Sequence, residues 1–316
     1  MATTNLKELS DMPELLSGGH AACPGCAGPV AIRQILLAAQ QDDVHVVVGI
    51  ATGCMEVCTT IYPNSAWRVP IVHNAFENSA ATVSGAEAAY RSLKRQGKID
   101  KKVAFIAWGG DGGTYDIGLQ SLSGALERGH DFTYICYDNE AYMNTGIQRS
   151  GATPRGAFTT TAPAGSVSSG KVQAKKDLTA IVAAHGVPYV AQASPHRARD
   201  LMKKVQKAVA VEGPTFLNII SPCPRGWRYP PEQTIQMAKL ACETCVWPLY
   251  EIEDGKVSIS YTPKEKKPVR EWLKSQGRFR HLFSPKNEHV IEQIQQDVDR
   301  KWERLLALEA LGKGQG

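Results

Sequence analysis

Trp108-Gly109-Gly110-Asp111-Gly112-Gly113 closes the apolar run Val103 to Trp108. Tyr137-Asp138-Asn139-Glu140-Ala141-Tyr142-Met143-Asn144-Thr145-Gly146 closes the next one, Thr133 to Tyr137. The glycines around Asp111 allow positive φ and let a ligand approach the backbone closely. A helix beginning near Asp116 points its N-terminus at the same place and favours an anion there. Asp111 and Asn139 are 28 positions apart, the length of one helix plus one strand with turns. The spacing therefore predicts that both stand at the C-terminal ends of neighbouring parallel strands.

The pattern around this stretch agrees. Strands are expected over Val44 to Ile50, Pro188 to Ala193 and Thr215 to Ile220. Helices are expected over Val30 to Gln40, Ser79 to Arg95, Ile117 to Arg128, Leu178 to His185 and Arg197 to Val211. Continuous apolar strands alternating with helices imply a parallel sheet flanked by helices on both faces, an α/β fold. Right-handed crossovers bring the strand ends to one edge, where ligands sit. One carboxylate and one amide oxygen at that edge suit Mg²⁺, which takes oxygen ligands and is completed by phosphate and water. The carbonyl of Ala141 can add a third protein ligand. Asn144 and Thr145 follow and can donate hydrogen bonds to a diphosphate or a reacting group. A bare Gly-Asp-Gly is usually only a tight turn. The strand before it, the helix after it and the second loop raise it above that, and the pair resembles the thiamine diphosphate motif.

The 316 residues carry 36 Lys and Arg against 31 Asp and Glu, a net charge of +5. The basic residues are scattered, which argues against nucleic-acid binding. No apolar run approaches a membrane span, and Met1 to Asp11 lacks the apolar core of a secretory signal, so a cytoplasmic location is expected. After about residue 246 the character changes. Val257 to Tyr261 reads as a short strand, Pro263 to Pro268 as a basic linker, and Asn287 to Leu311 as one amphipathic helix. That helix must pack on this subunit or on a partner. The expected division is an N-terminal extension over 1–17, the α/β domain over 18–251 and a C-terminal helical tail over 252–316.

Eight cysteines in a chain without secretory features point to metal or redox chemistry. Cys23 and Cys26 form a CxxC before a helix. Cys54 and Cys223 each follow a strand and so emerge at the edge that carries Asp111. Four thiolates there suit a [4Fe-4S] cluster. The rival is structural zinc held by two CxxC pairs, Cys23/Cys26 and Cys242/Cys245, as in a binding module. Cys136 reads as a buried small hydrophobe and Cys58 as structural. His20 and His73 are secondary site candidates, and His45 and His185 read as structural.

His20-Ala21-Ala22-Cys23-Pro24-Gly25-Cys26, Ala51-Thr52-Gly53-Cys54, Trp67-Arg68-Val69-Pro70, Phe76-Glu77-Asn78, Gly109 to Gly118, Tyr137 to Arg149 and Pro222-Cys223-Pro224 through Pro230 are similar to a known family. They resemble the β subunits of 2-oxoacid:ferredoxin oxidoreductases, most closely the pyruvate:ferredoxin type. The resemblance runs from about residue 18 to 251 and implies the diphosphate-binding half of the thiamine diphosphate fold. It implies thiamine diphosphate held at Gly110, Asp111, Gly112, Gly113, Asn139, Asn144 and Thr145. It implies Mg²⁺ on Asp111, Asn139 and the Ala141 carbonyl, one [4Fe-4S] cluster on Cys23, Cys26, Cys54 and Cys223, and Asn144 as a catalytic residue beside the thiazolium and substrate.

In such enzymes a glutamate from a second, similar domain activates the cofactor, and a chain of this length has no room for that domain. Glu56, Glu77 and Glu87 qualify by residue type only. An α subunit supplying the glutamate is therefore expected, with ferredoxin-like δ and γ subunits or fused equivalents, external ferredoxin, and coenzyme A where pyruvate is the substrate. Cys58 stands where the family's pattern carries threonine, and Asn64-Ser65 replaces a more aromatic pair. Oxalate and 2-oxoglutarate therefore stay open beside pyruvate. A non-redox thiamine enzyme would leave the edge cysteines idle.

Overall fold

In the computed structural model, which describes residues 5–40 and 44–313, the apolar runs pair into one eight-stranded sheet. Its strands are β1 (His45–Ala51), β2 (Ile71–Asn74), β3 (Val103–Gly110), β4 (Thr133–Asp138), β5 (Tyr189–Ala193), β6 (Thr215–Ile220), β7 (Leu249–Glu253) and β8 (Lys256–Tyr261). The order is β2-β1-β3-β4-β6-β5-β7-β8, and the first six strands in this order are parallel. Every residue of β4 and β6 is buried, as central strands covered on both faces require. One face is covered by the helices Ala27–Ala39 and Ala198–Ala210, which join the core of Ile32, Val48, Ile106 and Leu217. The other is covered by Ser79–Arg95, Leu119–Glu127 and Leu178–Ala183, which pack with Phe105, Tyr134 and Phe216. Among the described residues no helix is long and apolar enough to cross a membrane.

The sheet is mixed rather than wholly parallel. β7 pairs antiparallel with β5 and β8 antiparallel with β7. The turn between them is Asp254-Gly255, with φ of +48° and +78°. Two central residues at positive φ make the tight hairpin turn that Asp-Gly favours. The expected boundary between 251 and 252 therefore falls inside a strand, and the tail continues the sheet. Described residues of the expected N-terminal extension also join the core, with Leu9 and Leu16 buried.

The helix Glu288–Lys313 packs on this subunit through Val290, Ile291, Ile294, Trp302 and Leu305, while Leu306, Leu308 and Leu311 stay exposed. Between sheet and helix lies a second core of Trp227, Trp247, Trp272, Phe279 and Leu282.

Candidate active site

Parallel strands place Ala51, Asn74, Gly110, Asp138 and Ile220 at one edge. Asp111 leaves β3 there and leads into a π-helical turn, Gly112–Ile117, ahead of the helix Leu119–Glu127. Such turns recur at functional sites. The missing side chain of Gly112 is the space taken by the Tyr142 ring, which would lie 2.4 Å from a Cβ, and that of Gly113 is closed by the Phe76 carbonyl at 2.7 Å. The chain is thus folded tightly onto itself around Asp111.

The Asn139 amide stands 2.7 Å from Asp111 Oδ1 and 2.8 Å from the Ala141 carbonyl oxygen. With its nitrogen turned inward it donates to both. With its oxygen turned inward, three oxygens face one point, the arrangement of a hard cation's ligands. Asp111 is 1% exposed. Burial raises its carboxyl well above the ordinary range, and the neighbouring Asp138 charge adds to that. Ser150 Oγ donates to Asp111 Oδ2 at 2.5 Å and the Asn139 backbone N–H to Oδ1 at 3.3 Å. Among the described residues no Lys or Arg forms an ion pair with Asp111, so the oxygen set fits Mg²⁺.

A buried charge network stands behind this loop. Lys175 Nζ lies 2.7 Å from Asp138 and 3.0 Å from Glu140, and Tyr115 donates to Asp138 at 2.6 Å. Arg278, from the tail, pairs with Glu140 and lies over the rings of Trp227, Phe279 and Trp272 at 4.1, 4.8 and 5.5 Å. Trp227 Nε1 donates to the Asn139 carbonyl at 2.8 Å.

The cysteines divide. Cys23, Cys26, Cys54, Cys58 and Cys223 line one cavity of ≈ 270 Å³ beside Met55, Met143 and Pro224. Cys26 and Cys223 immediately precede helices, and Cys54 begins one. Helix starts favour thiolate. Gly226 N–H reaches Cys223 Sγ at 3.3 Å. Burial nevertheless pushes Cys26 up to about 12, and Cys54 and Cys223 in the same direction, with nearby thiols adding to the effect. Several thiolates become tolerable in such a place only with a strongly cationic occupant, so the donor set fits an iron–sulfur cluster.

Among the described residues, no three His, Cys, Asp or Glu side chains close onto a single-ion site. The two CxxC pairs expected for zinc are not brought together. Cys242 is buried near His196 and Cys245 near Trp302, both away from the cavity. The reason is that Cys242 lies in the helix Thr234–Glu243, whose apolar side faces the second core.

The thiol cavity and the cleft around Asp111 share walls: Cys54, Tyr137, Asn139, Met143 and Asn144 line both. Residues 51–219 match the thiamine pyrophosphate enzyme C-terminal TPP-binding domain. Over 316 residues, covering 98% of each chain, the sequence is 54% identical to pyruvate synthase subunit PorB of Thermotoga maritima. The chain belongs to this family.

It is thus the β subunit of a 2-oxoacid:ferredoxin oxidoreductase, most like the pyruvate synthase subunits. Ketoisovalerate oxidoreductase subunit VorB of Pyrococcus abyssi is 44% identical, with 92% of each chain covered. In fold the β subunit is similar to a solved 2-oxoglutarate:ferredoxin oxidoreductase from Magnetococcus marinus. The TM-score is 0.57 and the identity 18%, covering 75% of this chain and 84% of that one.

Asn144 and Thr145 line the cleft of the β subunit, both exposed, and Thr145 donates its hydroxyl to Gln148 at 2.5 Å. His73 Nε2 lies 2.8 Å from Thr52 Oγ1 and 3.6 Å from Glu56, beside the cleft rather than in its wall. His20 lines a separate cavity with Cys58. Glu87 is buried against Arg91 and His130, a structural cluster. Sequence reasoning missed Ser150, Lys175 and Arg278. The residue-type signal for the two cations was the pair of carboxylates flanking Asn139, which cannot be buried unpaired.

Proposed function

We propose that this β subunit holds the diphosphate end of thiamine diphosphate through Mg²⁺ on Asp111, Asn139 and the Ala141 carbonyl. One [4Fe-4S] cluster sits on Cys23, Cys26, Cys54 and Cys223. The enzyme oxidatively decarboxylates pyruvate with coenzyme A and passes the electrons to ferredoxin. The observation that carries this reading is the shared wall. A diphosphate in the cleft and a cluster in the thiol cavity are separated by little more than Cys54, Tyr137, Asn139, Met143 and Asn144.

Thiamine diphosphate, when bound, supplies the carbanion and the electron sink for decarboxylation. The chain's own groups do the rest. Gly110, Gly112 and Gly113 bring backbone against the diphosphate. Ser150 orients Asp111, and Trp227 fixes the Asn139 backbone from behind. Asn144, projecting between the two cavities, is placed to donate a hydrogen bond on the substrate side. Among the described residues no glutamate lines the cleft, which supports a partner α subunit that supplies the activating glutamate and much of the substrate pocket. Ferredoxin-like subunits would carry electrons onward.

Anaerobic co-purification with the partner subunits, followed by iron, sulfide, magnesium and thiamine diphosphate analysis, tests the cofactor assignment. Viologen reduction by pyruvate plus coenzyme A should exceed that by oxalate or 2-oxoglutarate. A complex without iron and sulfide, or one indifferent to pyruvate, would overturn the reading.

A further inference from the structure

Five thiols line the cluster cavity, whereas a [4Fe-4S] cube bound in the usual manner takes four. The fifth is Cys58. It lies one turn beyond Cys54 on the helix Cys54–Thr59, and side chains at i and i+4 stand on the same side of a helix. Its carbonyl accepts from Ala21 N–H at 2.9 Å, which fastens the start of the loop carrying Cys23 against it. Cys58 and Cys23 wall the same cavity. Of the five, Cys23 alone is exposed. Cys58 is half-buried and also walls a second, polar cavity of ≈ 240 Å³ lined by Ser17, His20, Thr59, Asn64 and Ser65. The corner of the cluster most open to oxidants and displacement thus has a spare sulfur beside it.

We propose that Cys58 is a reserve ligand that takes over the iron held by Cys23 when Cys23 is displaced or absent. This rests on the four-cysteine cluster assignment above. The step is ligand exchange. Where Cys23 is displaced, the iron bond to Cys23 Sγ breaks, a bond to Cys58 Sγ forms, and the Cys58 proton passes to the released Cys23 thiolate. Where Cys23 is absent, Cys58 Sγ displaces a water from that iron and its proton passes to solvent. No electrons move and the iron keeps its oxidation state.

The test uses the complete complex, purified anaerobically. Iron and acid-labile sulfide are measured, with the electron paramagnetic resonance spectrum of the reduced cluster and circular dichroism to check folding. Four variants are compared: Cys58→Ser, Cys23→Ser, Cys26→Ser and the double Cys23→Ser/Cys58→Ser. Cys58→Ser should keep the parent's iron. Cys23→Ser should keep most of it, with an altered resonance spectrum. Cys26→Ser and the double variant should lose nearly all of it. The proposal falls if Cys23→Ser loses iron as completely as Cys26→Ser while still folded. It falls equally if the double variant keeps as much as Cys23→Ser. A parent complex without iron would instead overturn the cluster assignment itself.

Discussion

Replacing Arg278 by Met separates the charge network from ordinary packing. Arg278 is 2% exposed, pairs with Glu140, and donates through Nε to Gln276 at 2.9 Å. With Lys175 it balances Asp138 and Glu140, two cations against two carboxylates. Met fills similar volume but leaves one ammonium for two buried carboxylates, with Asp111 close by. Breaking a buried pair by removing one partner costs about 3–5 kcal/mol. At about 2 °C per kcal/mol for a chain of this size, thermal unfolding should fall by roughly 6–10 °C. The double variant Glu140→Gln/Arg278→Met removes both charges and should recover most of the loss, because an uncharged replacement of a buried pair is close to neutral. Calorimetry of the purified complex reads both. Thiamine diphosphate affinity should fall in the single variant, since Glu140 sits between Asn139 and Ala141, two of the ligands proposed for Mg²⁺. If Arg278→Met melts within about 2 °C of the parent, or the double variant is no better than the single, Glu140 is not held charged in the fold and the charge accounting is wrong.

Three more outcomes follow from the geometry. Ser150→Ala removes the hydroxyl that orients Asp111. It should weaken Mg²⁺–thiamine diphosphate binding about 10–100-fold with little change in unfolding temperature, measured by calorimetric titration. Gly25→Ala puts a Cβ 2.3 Å from the Pro231 carbonyl oxygen at a φ of +72°. It should displace the CxxC loop, cost about 1–3 kcal/mol and lower iron content together with stability. Burial, assisted by Arg197, pushes His196 from 6.5 down to about 4. The fold therefore keeps it neutral while the unfolded chain takes up a proton, and stability present at pH 7 is lost as pH falls from about 6.5 towards 4. Allowing for its partial exposure, the loss is about 1–2 kcal/mol. His196→Gln should flatten denaturation midpoints between pH 7 and pH 5, and an unchanged slope would count against a buried neutral imidazole.

The parts of the fold legible in the sequence were those written in contiguous runs. Thr215–Ile220 and Ser79–Arg95 have the expected bounds, because an unbroken apolar strand and a long 3.6-residue period each carry their own evidence. β2 was missed because four residues at a sheet edge, with Val72 and His73 exposed, bury too little to leave a pattern. β7 was missed because its apolar residues were read as the end of a domain, although Asp254-Gly255 marks the hairpin. That Asp111, Asn139, Cys54 and Cys223 come to one edge was legible because strand ends in a parallel sheet must share an edge. Ser150 was not, since a serine's choice of partner depends on where a loop returns.

Arg278 shows why the remainder needed coordinates. The sequence places Asp138 and Glu140 on either side of Asn139, and two carboxylates drawn below the surface demand cations from somewhere. Nothing in their neighbourhood supplies one. Lys175 comes from 35 positions beyond Glu140 and Arg278 from 138 positions beyond it. The loop that would present Mg²⁺ to the diphosphate is thus electrically complete only once the C-terminal segment has folded onto the sheet. This gives that segment a physical task at the site. A chain cut before Arg278 would retain every residue of the glycine–aspartate motif and all five cavity thiols, yet it should bind thiamine diphosphate far more weakly than the full chain in the same complex. If affinity survived the cut, the charges at the loop would have to be balanced from solvent or from a partner subunit instead.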